Sequence, residues 1–160
     1  PELLLLDEPT SAVDPQSRRD FWESLFDLAA AGTTILVSTH YMDEAERCHR
    51  VAILDRGRLV AEGTPRGLMD GIDATVVEME AENPRAARHA LDGQAVVRSV
   101  AQLGTRLHAL LDPNVTDAVA HVERLLSAKR VDAHVEIVDA SLEDVFVAAT
   151  GFSAERADAA

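Results

Sequence analysis

Two neighbouring carboxylates, Asp7 and Glu8, end a run of four leucines, and His40 follows a second apolar segment, Thr34–Ser38. In open α/β sheets, ligands bind at the carboxyl ends of the strands. A carboxylate there can hold Mg²⁺ directly or through water, and a second carboxylate can orient or deprotonate a water molecule. The sequence therefore predicts that Asp7, Glu8 and His40 share one rim of a sheet. Taken one at a time, a solvated strand end and a structural histidine explain them at least as well.

The elements that would position these residues alternate between strand and helix patterns. Residues 3–6 form a continuous apolar run, which is typical of a parallel strand covered on both faces. Asp14-Pro15 predicts a helix N-cap and first turn, and Gly32 predicts the end of that helix. After the segment Thr34–Ser38, we predict a short helix over residues 42–49. Strand, helix and strand in this order predict a parallel α/β sheet.

The rest of the chain predicts a hairpin and a second small domain. Residues 51–54 and 58–61 flank a turn, which is the pattern of a hairpin. Between about residues 73 and 151, the order strand, helix, strand, strand, helix, strand is that of a ferredoxin-like sandwich. Its strands alternate between apolar and polar residues, so we expect one buried face and one wet face. A capping pattern at 141–144 predicts a last helix, and residues 152–160 are expected to be a frayed tail.

Composition and charge restrict the class of protein. The chain has 160 residues, of which 47% are hydrophobic and 27% charged, as in globular proteins. No apolar run approaches the ~20 residues of a membrane-spanning helix. The formal net charge of -13 argues against non-specific binding to nucleic acid or to an anionic membrane. The single cysteine, Cys48, excludes an internal disulfide.

Other residues that could bind a metal are weaker candidates. Cys48 and His49, with His40, could suggest a metal site, but zinc normally needs four well-placed ligands. A short surface helix is the preferred interpretation of this segment. The remaining histidines are scattered over the second part of the chain and are expected to form no cluster: His89, His108, His121 and His134.

Three blocks in the correct order resemble the ABC-type ATPases. Residues 3–15 (LLLLDEPTSAVDP) resemble the Walker B motif and D-loop, residues 38–46 (STHYMDEAE) resemble the histidine switch, and residues 56–65 (RGRLVAEGTP) resemble the following hairpin. The resemblance covers residues 1 to about 70 and implies the C-terminal part of a P-loop ABC ATPase domain. The second block and residues 141–146 are most similar to ATPase subunits of drug and antibiotic exporters. Those subunits carry a small extra domain, which residues 73–151 match in position and strand order.

The resemblance also implies roles for individual residues, with ATP and Mg²⁺ as cofactors. Asp7 would serve Mg²⁺, Glu8 would polarise the attacking water, and His40 would sense the γ-phosphate. The D-loop would contact a second ATPase subunit, in a homodimer, through Ser11, Ala12, Val13 and Asp14. A membrane permease subunit would be the other partner, and nucleic acid would not be one. The protein would be cytoplasmic, peripheral on the inner face of the plasma membrane.

Two motifs of these ATPases do not occur in the sequence. A phosphate-binding loop needs Gly-x-x-x-x-Gly-Lys-Ser/Thr, and the only lysine, Lys129, has no glycine near enough before it. The family signature needs adjacent glycines, and the chain has no Gly-Gly pair. We therefore expect a C-terminal piece of a longer protein, with Pro1 at a cut end, and no activity from the piece alone.

Two alternatives to the exporter ATPase remain open. The chain could act as an accessory or regulatory module whose ferredoxin-like part contacts a partner subunit. It could also come from a chromosome-maintenance ATPase of the same superfamily, but those proteins work on DNA and this chain has no basic stripe. The last helix, with Leu142, Val145 and Phe146 apolar, could pack back on the ATPase core.

Overall fold

The computed structural model describes the backbone of residues 1–158 and the side chains of residues 1–151. It is a mixed α/β structure with three small sheets, and the chain divides into two compact units between Arg47 and Cys48. The sequence predicts the change near residue 70 instead. The difference arises because the hairpin and the short helix before residue 70 pack with the last helix of the chain. The division of a longer protein into domains at residues 1–70 and 73–151 stays a prediction.

The first unit contains the predicted parallel strands. Strand β1 (Leu3–Asp7), helix α1 (Pro15–Ala30), strand β2 (Thr34–Ser38) and helix α2 (Met42–Ala45) follow one another. Strands β1 and β2 pair in parallel. Because the strands are parallel, both carboxyl ends lie at the same edge of the sheet.

Helix α1 begins and ends where its capping residues predict. The Asp14 carboxylate accepts hydrogen bonds from the backbone amides of Gln16 and Ser17, both at 3.1 Å, and Pro15 occupies the first turn. Gly32 follows the helix with a φ of +97°, a conformation that glycine adopts without strain. The helix buries Trp22 and Leu25.

Two expectations for the first unit need correction. Helix α2 ends at Ala45, not near residue 49, and residues 46–49 form turns and bends instead. The leucine run is covered on one face only. Leu3 and Leu5 are 54% and 65% exposed, and Leu36 of the neighbouring strand is 66% exposed.

The second unit begins with the predicted hairpin. Strands β3 (Val51–Asp55) and β4 (Arg58–Gly63) pair antiparallel. Arg56 and Gly57 form the two-residue turn with φ of +48° and +77°, which suits the right-handed twist of the strands. Helix α3 (Pro65–Asp70) follows.

A four-stranded antiparallel sheet forms the rest of the second unit. Its elements are β5 (Thr75–Ala81), α4 (Pro84–Leu91), β6 (Val97–Leu103), β7 (Arg106–Leu111), α5 (Ala118–Ala128) and β8 (Ala133–Ile137), and the strand order is β6-β7-β5-β8. Helices α4 and α5 pack together and contribute to one core with the sheet. The fully buried residues of this core are Val77, Met79, Ala87, Leu91, Ala109, Leu111 and Val122.

The face of this sheet that strand alternation predicts to be wet is exposed at Glu80, His134 and Glu136 but covered along β6 and β7. Helix α6 (Leu142–Asp158) contacts β6 and β7, and also contacts α3, β3 and β4. Val76 and Leu110 are therefore buried although they lie opposite the α4–α5 core. The last helix thus joins the sheet to the hairpin. Because the hairpin belongs to the segment that resembles an ATPase, α6 packs on part of that segment, which is one of the alternatives that the sequence left open.

Helix α6 also continues into the segment predicted as a frayed tail. It reaches Asp158, and positions 159–160 lie outside the described residues. Within residues 1–158, no helix has both the length and the apolar character that crossing a membrane requires.

Candidate functional site

The carboxyl ends of β1 and β2 bring Asp7 and Ser38 to opposite positions in the register. The Ser38 hydroxyl donates a hydrogen bond to Oδ1 of Asp7. The backbone amide of Glu8 donates to the carbonyl oxygen and to the hydroxyl oxygen of Ser38, at 3.1 and 3.0 Å. One serine thus fixes both acidic residues. The sequence prediction did not single out Ser38, although its position at the end of the paired strand was the available signal.

Glu8 and His40 lie next to each other at this edge. The distance from Nδ1 of His40 to Oε2 of Glu8 is 2.7 Å. An ionised carboxylate only accepts hydrogen bonds, so Nδ1 carries the proton and donates, which leaves Nε2 of a neutral ring as an acceptor. The side chains are 37% and 59% exposed, so the pair is open to solvent. The structure therefore brings together the three residues whose proximity the sequence predicts.

The backbone between β1 and α1 is strained at two positions. Glu8 has a φ of +46° and Ala12 a φ of +62°. The left-handed region costs a residue with a Cβ roughly 1–2 kcal/mol. Two hydrogen bonds hold Glu8 in this conformation. The Glu8 amide donates to Ser38, and the Ser11 amide donates to the Glu8 carbonyl oxygen at 3.1 Å. Residues in such conformations cluster at functional sites, which supports this edge as the candidate site.

The four residues of the candidate D-loop follow immediately. Ser11 and Ala12 are exposed, and Val13 is half-buried. Asp14 caps α1, and hydrogen bonds from Ser17 and Gln16 hold the pKa of this carboxyl below its ordinary value. Asp14 therefore stabilises the start of the helix, whatever else the loop contacts.

Among residues 1–151, whose side chains the structure describes, no three His, Cys, Asp or Glu side chains are arranged to hold a metal ion. Cys48 is half-buried and follows α2, and His49 is exposed. This segment forms turns rather than the surface helix that the sequence predicts.

A polar cluster in the second unit escaped the sequence prediction, which treated His108 as one of four scattered histidines. Nδ1 of His108 lies 2.9 Å from Oδ1 of Asp144, and Nε2 lies 3.0 Å from Oε2 of Glu78. Arg106 also donates to Glu78. We call Glu78, Arg106, His108 and Asp144 the His108 cluster. Polar alternation on β5 and β7 was the only signal in the sequence, and it does not reveal that α6 brings Asp144 to this face.

The electrostatics of the His108 cluster favour the ionised form of Glu78. Burial would raise the pKa of Glu78, but hydrogen bonds and positive charge from His108 and Arg106 outweigh it and lower this pKa below its ordinary value. Both nitrogens of His108 face carboxylates, and the ring can donate to both only when both nitrogens carry a proton. The cluster therefore joins α6 to the sheet through His108, which lies between Asp144 of α6 and Glu78 of β5.

Comparison with known proteins gives consistent relatives over nearly the whole chain, although no protein-family model matches it. The daunorubicin resistance ATP-binding protein DrrA2 of Streptomyces coeruleorubidus is 37% identical over 169 residues, which cover 99% of this chain and 51% of the relative. The Nod factor export ATP-binding protein I of Paraburkholderia xenovorans (strain LB400) is 40% identical over 153 residues, 94% of this chain and 48% of the relative.

A third relative, the daunorubicin/doxorubicin resistance ATP-binding protein DrrA of Streptomyces peucetius, is 33% identical over 97% of this chain and 48% of its own length. The chain thus spans about half the length of the curated relatives it matches. All three relatives are named ATP-binding proteins. The 99% coverage of the match to DrrA2 includes the three sequence blocks that resemble ABC ATPases. Over nearly its whole length, the chain is therefore homologous to ABC-type ATP-binding proteins.

Proposed function

We propose that this chain contributes the hydrolytic residues of an ATP-binding subunit that powers an ABC-type exporter. The observation that carries the proposal is the 2.7 Å contact between Glu8 and His40, beside Asp7, at the carboxyl ends of two parallel strands. The names of the relatives concern drug resistance and Nod factor export, which supports an exporter. The chain has no phosphate-binding loop, so ATP hydrolysis requires the complete subunit.

The donor set at the strand ends fits Mg²⁺ in the company of ATP. Mg²⁺ is usually held by one or two carboxylates together with waters and substrate phosphates, rather than by a cage of protein ligands. Asp7 provides an exposed carboxylate whose Oδ1 is oriented by the Ser38 hydroxyl. When bound, the ion would neutralise charge on the phosphates. In this proposal Asp7 is the magnesium residue, and His40 and Asp7 face the nucleotide.

Glu8 is the general base of the proposal. Its carboxylate is half-exposed, so a water molecule can reach it, and its backbone is fixed by Ser38. His40 donates from Nδ1 to this carboxylate and so orients it, and Nε2 stays available to a ligand. A positioned carboxylate that orients a water molecule and accepts its proton typically contributes ~10²–10⁴ in rate.

The partners and location of the subunit belong to the same proposal. The exposed loop at Ser11 and Ala12 would contact a second copy of the ATPase, and a membrane permease would be the other partner. The subunit would lie in the cytoplasm, peripheral on the inner face of the plasma membrane. Nucleic acid is not a proposed partner, because the net charge of -13 opposes binding to phosphate backbones.

The four-stranded sheet is best described, in this proposal, as a ferredoxin-like accessory domain. The elements from β5 to β8 follow the order β-α-β-β-α-β. In the sheet order β6-β7-β5-β8, strands of the first half (β5 and β6) alternate with strands of the second half (β7 and β8). The domain's role would be contact with a partner subunit. Deleting residues 73–160 from the intact subunit should leave nucleotide binding and ATP hydrolysis intact while transport or assembly weakens. Loss of hydrolysis in a well-folded, nucleotide-binding deletion would contradict a pure contact role.

The central test replaces the proposed base in the intact subunit. Glu8→Gln should keep ATP binding and lower the rate of hydrolysis by ~10²–10⁴, because it removes the base and leaves Asp7 in place. His40→Ala should also lower turnover. Glu2→Gln, which removes an exposed acid just before the same strand, is the control and should be unchanged. Turnover of Glu8→Gln equal to that of the control would show that Glu8 is not the base.

A further inference from the structure

Glu44 is a buried carboxylate in the first unit, with only 1% of its surface exposed. It lies on α2, and each of its two carboxylate oxygens accepts a hydrogen bond from a different threonine. Oε1 accepts a hydrogen bond of 2.6 Å from the hydroxyl of Thr10, and Oε2 accepts one of 2.7 Å from the hydroxyl of Thr39. A buried carboxylate is costly unless its oxygens are satisfied, so this arrangement is specific.

The two threonines belong to the two loops that carry the candidate catalytic pair. Thr10 is two residues after Glu8, in the loop that leaves β1, and Thr39 is the residue before His40, in the loop that leaves β2. The Thr39 hydroxyl oxygen also accepts from the Tyr41 amide at 3.1 Å. One side chain therefore connects both loops close to the residues that must meet.

A second path of contacts leads from Glu44 to His40. Nε of Arg18 lies 3.5 Å from Oε1 of Glu44, and the guanidinium carbon of Arg18 lies 4.0 Å from the centre of the Tyr41 ring. The rings of Tyr41 and His40 are 4.1 Å apart between centres. The arginine both balances the buried charge and fixes the ring against which His40 packs.

The carboxylate of Glu44 is ionised at neutral pH. Burial would raise its pKa, but the hydrogen bonds from Thr10 and Thr39 and the charge of Arg18 outweigh burial and lower the pKa below its ordinary value. The buried indole N–H of Trp22 also lowers the pKa of Glu44. An ionised carboxylate offers acceptors on both oxygens, which two hydroxyl donors require.

We propose that Glu44 is a positioning residue for ATP hydrolysis, which holds Glu8 and His40 at their working distance by tying Thr10 to Thr39. The inference rests on the proposed function of the Glu8–His40 pair. Glu44 acts through the two loops, by the hydrogen bonds that it accepts from Thr10 and Thr39. Its removal should therefore affect the chemical step more than nucleotide binding.

The test measures kcat and ATP affinity in the intact subunit carrying Glu44→Gln. Glutamine keeps the shape but has one acceptor oxygen, so one of the two threonine bonds must be lost or reversed. Loss of an orienting partner typically costs 10–100-fold in activity, so we expect kcat to fall by roughly tenfold to a hundredfold with ATP affinity within about twofold. Glu46→Gln is the matched control, because Glu46 is an exposed glutamate two residues further along.

A pair of threonine variants guards against a variant that fails to fold. Thr39→Ser keeps the hydroxyl and should retain most of the activity, whereas Thr39→Ala removes it and should reproduce the fall in kcat. Added to Glu44→Gln, Thr39→Ala should cost little more, because both act on the same bond. Equal activity of the serine and alanine variants, or a loss confined to ATP affinity, would overturn the positioning role.

Glu8→Gln in the same protein separates this inference from the function on which it rests. An impaired Glu8→Gln together with a wild-type kcat in Glu44→Gln overturns the positioning role and leaves the proposed function standing. A fully active Glu8→Gln overturns the proposed function itself. Both variants impaired in kcat, with Glu46→Gln normal, supports both.

Discussion

Replacing Asp144 with alanine should destabilise the unit that contains the four-stranded sheet. Asp144 is fully buried in the first turn of α6. Its Oδ1 lies 2.9 Å from Nδ1 of His108, and its Oδ2 accepts from the amide and the hydroxyl of Ser141, both at 2.8 Å. Truncation removes all three interactions. It also leaves the His108 ring, 8% exposed, with an unsatisfied nitrogen facing a cavity.

The size of the effect follows from these contacts. Each hydrogen bond to a charged group is worth ~1.5–3 kcal/mol, and the three are not additive because they share one carboxylate. Truncation also leaves a buried nitrogen of His108 unsatisfied, at a cost of about 1–3 kcal/mol, so we expect a total loss of about 3–5 kcal/mol. For a domain of about 100 residues, 1 kcal/mol corresponds to roughly 4–8 °C, so the melting midpoint should fall by about 12 °C or more.

Far-UV circular dichroism of the whole chain measures this change, because most strands and helices belong to the second unit. Trp22 is the only tryptophan and lies in the first unit, so its fluorescence follows that unit separately. Glu143→Ala is the matched control, since Glu143 is the neighbouring acid and lies outside the His108 cluster. The control should stay within about 0.5 kcal/mol of the wild type. Equal melting of Asp144→Ala and the control would refute the argument.

Two other predictions concern the stability of the protein at low pH and the hydrolysis of ATP. Because the folded-state pKa of Glu78 is lowered from its ordinary value of 4.5, its contribution to stability is present above that pH and is lost as pH falls through the lower folded-state pKa. Urea unfolding measures the free energy of unfolding over this acid range, and it should fall less steeply with decreasing pH for Glu78→Gln than for the wild type. Parallel pH dependences of the two proteins would show that Glu78 makes no such contribution. The purified 160-residue chain should not hydrolyse ATP with Mg²⁺, because its sequence has no phosphate-binding loop. Turnover near that of an intact subunit would contradict this expectation.

Local chemistry determined much of the framework from the sequence. The start of α1 at Asp14-Pro15, its end before Gly32, and the turn at Arg56-Gly57 were all predictable, because caps and turns depend on a few adjacent residues. Parallel pairing of β1 with β2 followed from the strand, helix, strand order. The same order placed Asp7, Glu8 and His40 at one edge, since side chains at the ends of parallel neighbours must lie together.

Contacts between distant segments decided what the sequence pattern could not. Strand alternation predicted a wet face of the sheet, but α6 covers the part of it along β6 and β7 and buries His108 against Asp144. Glu44 looks like any acid of a polar helix, and only the fold directs its carboxylate inward to Thr10, 34 residues away. A periodic pattern reports which side of an element is apolar, whereas the partner that covers each side depends on the path of the whole chain. Buried polar clusters are therefore fixed by tertiary structure, because their members lie on elements far apart in sequence and are satisfied only when those elements pack together.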